Sequence, residues 1–140
     1  MTNIARTILT VLVAIAASAS AFCQNKNGQP WPDTAGEHIN AHGGNIIRYN
    51  GKYYWYGENR PATGYTTEVG VSVYSSTDLE HWTNEGVALS VSQQPGHNIE
   101  RGCIMERPKV LYNEKTKKFV MLFHLEMTGR GYDEARMALA

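Results

Sequence analysis

Asn45-Ile-Ile-Arg-Tyr-Asn-Gly-Lys-Tyr-Tyr-Trp-Tyr-Gly-Glu58 is the stretch on which the fold of this chain turns. An apolar run reaches Tyr49, meets Asn50-Gly51 and returns as an aromatic run. Asn-Gly tolerates positive φ at both positions, which is what a two-residue hairpin turn requires. The spacing predicts paired strands over 45–49 and 52–56. A second copy follows at Arg107-Pro-Lys-Val-Leu-Tyr-Asn-Glu-Lys-Thr-Lys-Lys-Phe-Val-Met-Leu-Phe-His124, again an apolar strand, a turn opened by Tyr-Asn, and a return strand. Tyr49 and Tyr112 mark the same place in each copy, a period of 63 residues. A hairpin repeated at that interval predicts radial repetition, as in a propeller.

Working outward, Val69, Val71 and Val73 alternate with smaller residues and predict a half-buried third strand. Thr77-Asp78-Leu79 reads as a turn with Asp78 capping it, Trp82 as the packing residue beyond it, and 86–89 as a short outer strand. The second unit has its turn at 113–117 and a polar connector over 127–133. By register the chain ends inside the third strand of that unit. Two units are too few to close a ring, so the expectation is an all-β architecture of about two blades of an incomplete propeller.

The 140 residues carry 13 basic and 13 acidic side chains, a formal net charge of zero, and only 19% are charged. No basic stripe is present, which argues against a nucleic-acid partner. Residues 1–21 have the pattern of a secretory signal peptide: Arg6, a 10-residue apolar run from Ile8 to Ala17, and Ala19-Ser20-Ala21 as the cleavage signal. That run is too short for a typical spanning helix, so no membrane association is expected after cleavage, and the expected location is secreted or periplasmic. Phe22 argues against lipidation at Cys23. The 119 residues that follow Ala21 divide into an extended lead-in over 22–37 and a β domain over 38–140. The exported compartment permits a Cys23–Cys103 bond without requiring one.

Three segments resemble glycoside hydrolase family 43, the five-bladed β-propellers that cleave plant-type polysaccharides. They are Ile39-Asn-Ala-His-Gly-Gly-Asn-Ile-Ile continuing to Tyr53-Tyr-Trp-Tyr-Gly-Glu58, then Val73-Tyr-Ser-Ser-Thr-Asp-Leu-Glu-His-Trp82, then Met105-Glu-Arg-Pro-Lys-Val-Leu-Tyr-Asn113. The Ser-x-Asp-Leu-x-x-Trp turn is shared by other sugar-cleaving propellers. The Ala-His-Gly-Gly, Tyr-Trp-Tyr-Gly-Glu and Glu-Arg-Pro-Lys combination is similar to the exo-β-1,3-galactanase branch. The resemblance implies hydrolysis with inversion of a galactan-like polysaccharide or oligosaccharide. It also implies that the chain is the N-terminal portion, about two blades, of an incomplete five-bladed propeller, which at the observed period needs roughly 300 residues, and so a truncated domain that lacks the general acid, which belongs to a blade beyond Ala140.

Carboxylates suit sugar recognition because each accepts hydrogen bonds from hydroxyls, often in pairs. Glu106, before Pro108 at the mouth of an inner strand, is the expected carboxylate facing the terminal sugar; the alternative is a surface Glu paired with Arg107 or Arg101. Glu58, at the end of the aromatic strand, is either a second sugar-binding carboxylate or an exposed charge at a loop start. His42 either donates to a sugar hydroxyl or supports the funnel floor. Asp33 and Glu37 do not match the general-base Asp that many relatives carry in blade one, an Asp that the galactanase-like branch lacks. Arabinofuranose or xylose as the sugar, and a non-catalytic secreted carbohydrate-binding protein, are the alternative functions. Tyr53, Tyr54, Trp55 and Tyr56 are expected to pack in the core between blades. No cofactor is expected: some family members hold calcium in the central channel, but no local ligand cluster here calls for it.

Overall fold

A computed structural model describes residues 28–61 and 66–140. Residues 1–21, which have the pattern of a signal peptide, lie outside the described residues, as do Cys23 and the first part of the lead-in. Among the described residues there are seven strands: β1 (His42–Tyr49), β2 (Lys52–Asn59), β3 (Gly70–Ser76), β4 (Thr83–Ser90), β5 (Ile104–Asn113), β6 (Lys118–Glu126) and β7 (Arg136–Leu139). They form two antiparallel meanders in the orders β1-β2-β3-β4 and β5-β6-β7. Each is a blade of the propeller the repeat predicts, with β1 and β5 as corresponding first strands.

The first hairpin closes where Asn-Gly placed it, with φ of 46° at Asn50 and 81° at Gly51. The Tyr marks of the two repeats become neighbours across the seam: the Tyr49 and Tyr112 rings are 4.4 Å apart, and Phe119 lies 5.0 Å from each. The seam is also stitched by side chains. The Asn45 amide donates to the Val110 carbonyl (3.0 Å) and accepts from the Val110 N–H (2.9 Å), a surrogate rung between β1 and β5. Lys109 Nζ donates to the carbonyls of Gly43 and Gly44 at 2.7 and 3.0 Å.

Two apolar clusters hold the blades. One joins Val71 of the first blade to Met105, Val110, Met121, Phe123 and Leu125 of the second, with Tyr56 against it. The other lies on the far side of the first blade, where Ile39, Ala41, Tyr74 and Trp82 are buried and Trp31, Tyr53 and Trp55 pack on them. Trp55 sits 5.7 Å from Trp31 and 5.4 Å from Trp82, both edge-on. Alternation along β2 puts Tyr53 and Trp55 on the face of one cluster and Tyr56 on that of the other. The cover over the Trp55 face differs from the expectation, because the lead-in, and not a neighbouring blade, lies there. The lead-in doubles back through a Pro32–His38 bridge to reach that position.

The Ser-x-Asp-Leu-x-x-Trp segment builds the β3–β4 corner by satisfying its own backbone. Ser76 Oγ accepts the N–H of Leu79, and Asp78 Oδ1 accepts those of Glu80 and His81 at 2.9 and 2.8 Å. Those bonds, the His81 backbone N–H foremost, hold the Asp78 carboxyl well below the usual carboxylate range. Leu79 takes φ of 68°, and its carbonyl accepts the indole N–H of the fully buried Trp82.

Candidate functional site

Both first strands carry a bulge at the same place. In β1, His42 pairs with Glu58 and Asn45 with Tyr56, so one extra residue is inserted at Gly43-Gly44. In β5, Glu106 pairs with His124 and Lys109 with Leu122, so the extra residue falls at Arg107-Pro108. A bulge bends its strand and re-aims the side chain beside it. Gly43 (φ 57°) and Arg107 (φ 51°) supply the left-handed residue in each. At Gly43 a Cβ would stand 2.9 Å from Glu58 Oε1, so glycine also leaves room for the carboxylate. The two blades thus present swapped pairs, His42 opposite Glu58 and Glu106 opposite His124.

Glu58 and Glu106 are both buried, at 6% exposure each, and they meet at a residue the sequence reading missed. Arg60 Nε donates to Glu58 Oε2 at 2.7 Å, and its Nη2 donates to Glu106 Oε1. Glu58 Oε1 accepts the backbone N–H of Arg107 at 2.7 Å, so the first blade's carboxylate also holds the second blade's bulge. Asn40 fixes Arg60 from behind by accepting its N–H at 2.9 Å. Arg60 was legible in principle: it follows Glu58 by two residues, and that period places side chains on one side of a strand.

Tyr132 completes the cluster by donating its hydroxyl to Glu106 Oε1 at 2.6 Å. Burial opposes ionisation of Glu106, but the Tyr132 hydroxyl and the Arg60 guanidinium outweigh it, so the carboxyl sits below the ordinary glutamate value. The same hydrogen bond raises the Tyr132 phenol. Nothing local marked Tyr132, which lies in a polar connector and reaches Glu106 only through the fold. A cleft of about 250 Å³ opens beside these groups, lined by Arg60, Glu106, Tyr132, Val69, Ile104 and Met105.

The surface pairing considered for Glu106 is not what the structure has. Arg101 pairs with Glu68, and Arg107 reaches Glu106 only at 4.0 Å. His42 stands opposite Glu58 in register but is exposed. Asp33 has no hydrogen bond to the cluster; its Oδ1 accepts the N–H groups of Ala35 and Glu37 at 2.8 and 3.0 Å and closes its own turn. Among the described residues no group of three or more His, Cys, Asp or Glu is placed to hold a metal ion.

This pair of meanders, with acidic side chains gathered between bulged first strands, is part of a β-propeller. No protein-family model matches the chain, and no curated protein matches it. Solved structures do. A family 43 β-1,3-galactosidase solved with galactodeoxynojirimycin is similar at 61% identity and a TM-score of 0.77, over 81% of this chain and 33% of that one. An exo-β-1,3-galactanase from Clostridium thermocellum is similar at 41% identity and a TM-score of 0.69, over 81% of this chain and 23% of that one. An exo-β-1,3-galactanase from Phanerochaete chrysosporium, solved with galactose, is similar at 36% and 0.68, over 81% and 26%. The chain belongs to glycoside hydrolase family 43, and its likeness within that family is to the exo-β-1,3-galactanase branch. It spans a quarter to a third of the length of these relatives.

Proposed function

We propose that the chain supplies the galactose-facing part of an exported, exo-acting β-1,3-galactan hydrolase that works with inversion. The observation that carries this reading is the meeting of two buried carboxylates, from two blades, on one arginine beside a small cleft. In the proposed roles Glu58 and Glu106 accept hydrogen bonds from the nonreducing-terminal galactose, and His42 donates to a hydroxyl at the mouth. Inverting hydrolysis needs a proton donor and a second group that activates water from the opposite face, roughly 6.5–9.5 Å apart in the ordinary carboxyl pair. A carboxyl held low, as Glu106 is, accepts hydrogen bonds and does not deliver a proton near neutral pH. That supports a binding role for Glu106 and leaves the acid to a residue beyond Ala140. The 140 residues alone are therefore expected to bind sugar weakly and not to hydrolyse it.

The test uses the protein extended past Ala140, given β-1,3-galactan and followed by proton NMR. Galactose should appear first as the inverted anomer. Glu106→Gln should slow its release by about 10- to 100-fold, the worth of one or two hydrogen bonds to a charged group. An unchanged rate in that variant would remove the proposed role of Glu106. Release of arabinose or xylose instead would change the sugar, and binding without release would favour a non-catalytic carbohydrate-binding protein.

A further inference from the structure

Glu126 is a carboxylate with no exposed surface, at the end of β6, and the proposed chemistry does not use it. Its two oxygens accept the N–H groups of Glu134 (3.0 Å) and Ala135 (2.9 Å), which close the connector that bears Tyr132. Its Oε1 also lies 2.9 Å from His124 Nε2. His124 is the cross-strand partner of Glu106, and its ring centroid is 5.9 Å from that of Tyr132 at a tilt of 34°. Tyr132 is itself 61% exposed, so burial does not hold it in place, although its hydroxyl reaches a buried carboxylate.

A buried charge is retained where its hydrogen bonds offset the cost of desolvation. Glu126 meets that condition through the backbone N–H groups of Glu134 and Ala135, which fix the return of the connector two and three residues after Tyr132. Its Oε1 also stands beside the imidazole that backs the Tyr132 ring, at ion-pair distance but without hydrogen-bond geometry. We propose that Glu126 and His124 are positioning residues that hold the Tyr132 hydroxyl on Glu106, and so keep Glu106 oriented for its ligand. The ligand part of this statement rests on the sugar-binding role proposed for Glu106; the placement of Tyr132 does not.

The experiment has two readouts on the full 140-residue chain. The first needs no sugar. With tyrosine labelled at Cζ, the signal missing from Tyr132→Phe identifies Tyr132, and its ionisation is followed by NMR while the Trp82 indole signal reports folding. In the wild type the midpoint should lie above the ordinary tyrosine value of about 10, because the phenol proton is shared with the Glu106 carboxylate. Glu126→Gln replaces one accepting oxygen with an NH₂ that faces a backbone N–H, and should return the midpoint to the ordinary value. His124→Leu removes the ring behind Tyr132 while leaving the connector's own bonds to Glu126, and should move it the same way. A midpoint unchanged in both folded variants overturns the proposal. Should Glu126→Gln not fold, His124→Leu alone decides.

The second readout is galactose affinity in a double-mutant cycle. Glu126→Gln should weaken binding several-fold in the wild-type background and add no further loss in the Tyr132→Phe background. Additive losses would show that Glu126 does not act through Tyr132 and would overturn the proposal. A wild-type chain that ignores galactose, with a phenol midpoint that still falls in the variants, would uphold the positioning role and count against the sugar reading alone.

Discussion

Arg60 sets the character of the site because one guanidinium serves two buried carboxylates. The arrangement leaves more acid than base at the centre, which suits hydroxyl donors. Its consequence for pH follows from Glu106. A carboxyl with a depressed native value contributes stability that is complete above the ordinary glutamate value of about 4.3 and is lost as pH falls through the native value. The denaturation midpoint of the wild type should therefore fall between pH 5 and pH 3 more steeply than that of Glu106→Gln, and urea titrations at both pH values would show it. Parallel loss in the two proteins would mean that Glu106 is not held low. Glu58 and Glu106 were visible in the sequence because Glu58 comes late in an aromatic strand and Glu106 opens the Glu-Arg-Pro-Lys motif at the mouth of an inner strand. Tyr132, His124 and Glu126 were not, since their partnership depends on how a connector folds back over β6. Glu126 did carry a usable signal: it ends an apolar return strand, as Glu58 stands one residue from the end of β2.

At the scale of elements, the repeat was legible because hairpin chemistry is local. Asn-Gly fixed one turn and the Asp78 corner the passage to β4, whereas the valine alternation located β3 but predicted it half-buried, and it is buried on both faces between its neighbours. The paired bulges were not legible. Gly43-Gly44 is a pair that permits a sharp bend, but Arg107 takes a left-handed φ that its residue type does not announce. The neighbour across the seam holds it there, because Glu58 accepts its N–H. The seam also depends on Asn45, whose amide replaces backbone pairing between β1 and β5. Asn45→Ala removes two partly buried hydrogen bonds worth about 1 kcal/mol each. A loss of about 1–3 kcal/mol is expected in chemical denaturation, with both hairpins retaining their strand signals at low denaturant. A loss within error would assign the seam to the Tyr49–Tyr112–Phe119 contact instead.

At the scale of the whole molecule, the described strands leave apolar groups in water. Met137 and Leu139 on β7 are 75% and 71% exposed, and Leu111 and Phe119 lie open on the second blade. β7 is also an edge strand, with backbone groups free to pair with another chain. The 140-residue chain should therefore self-associate as concentration rises, and Leu139→Lys should reduce light scattering by placing a charge on that edge. Equal scattering from both proteins would move the association to another face. The blade count came from the period in the sequence, whereas the covering of Trp55 by the lead-in did not, because a Pro-rich stretch does not say which surface it will lie against. The bond from Glu58 to the Arg107 N–H has one more consequence. The acid that would recognise a guest is also a strut of the frame, so recognition and assembly share one atom. Two sectors docked out of register would offer no matched pair of acids, and a guest gripping both would act as a rivet across the joint.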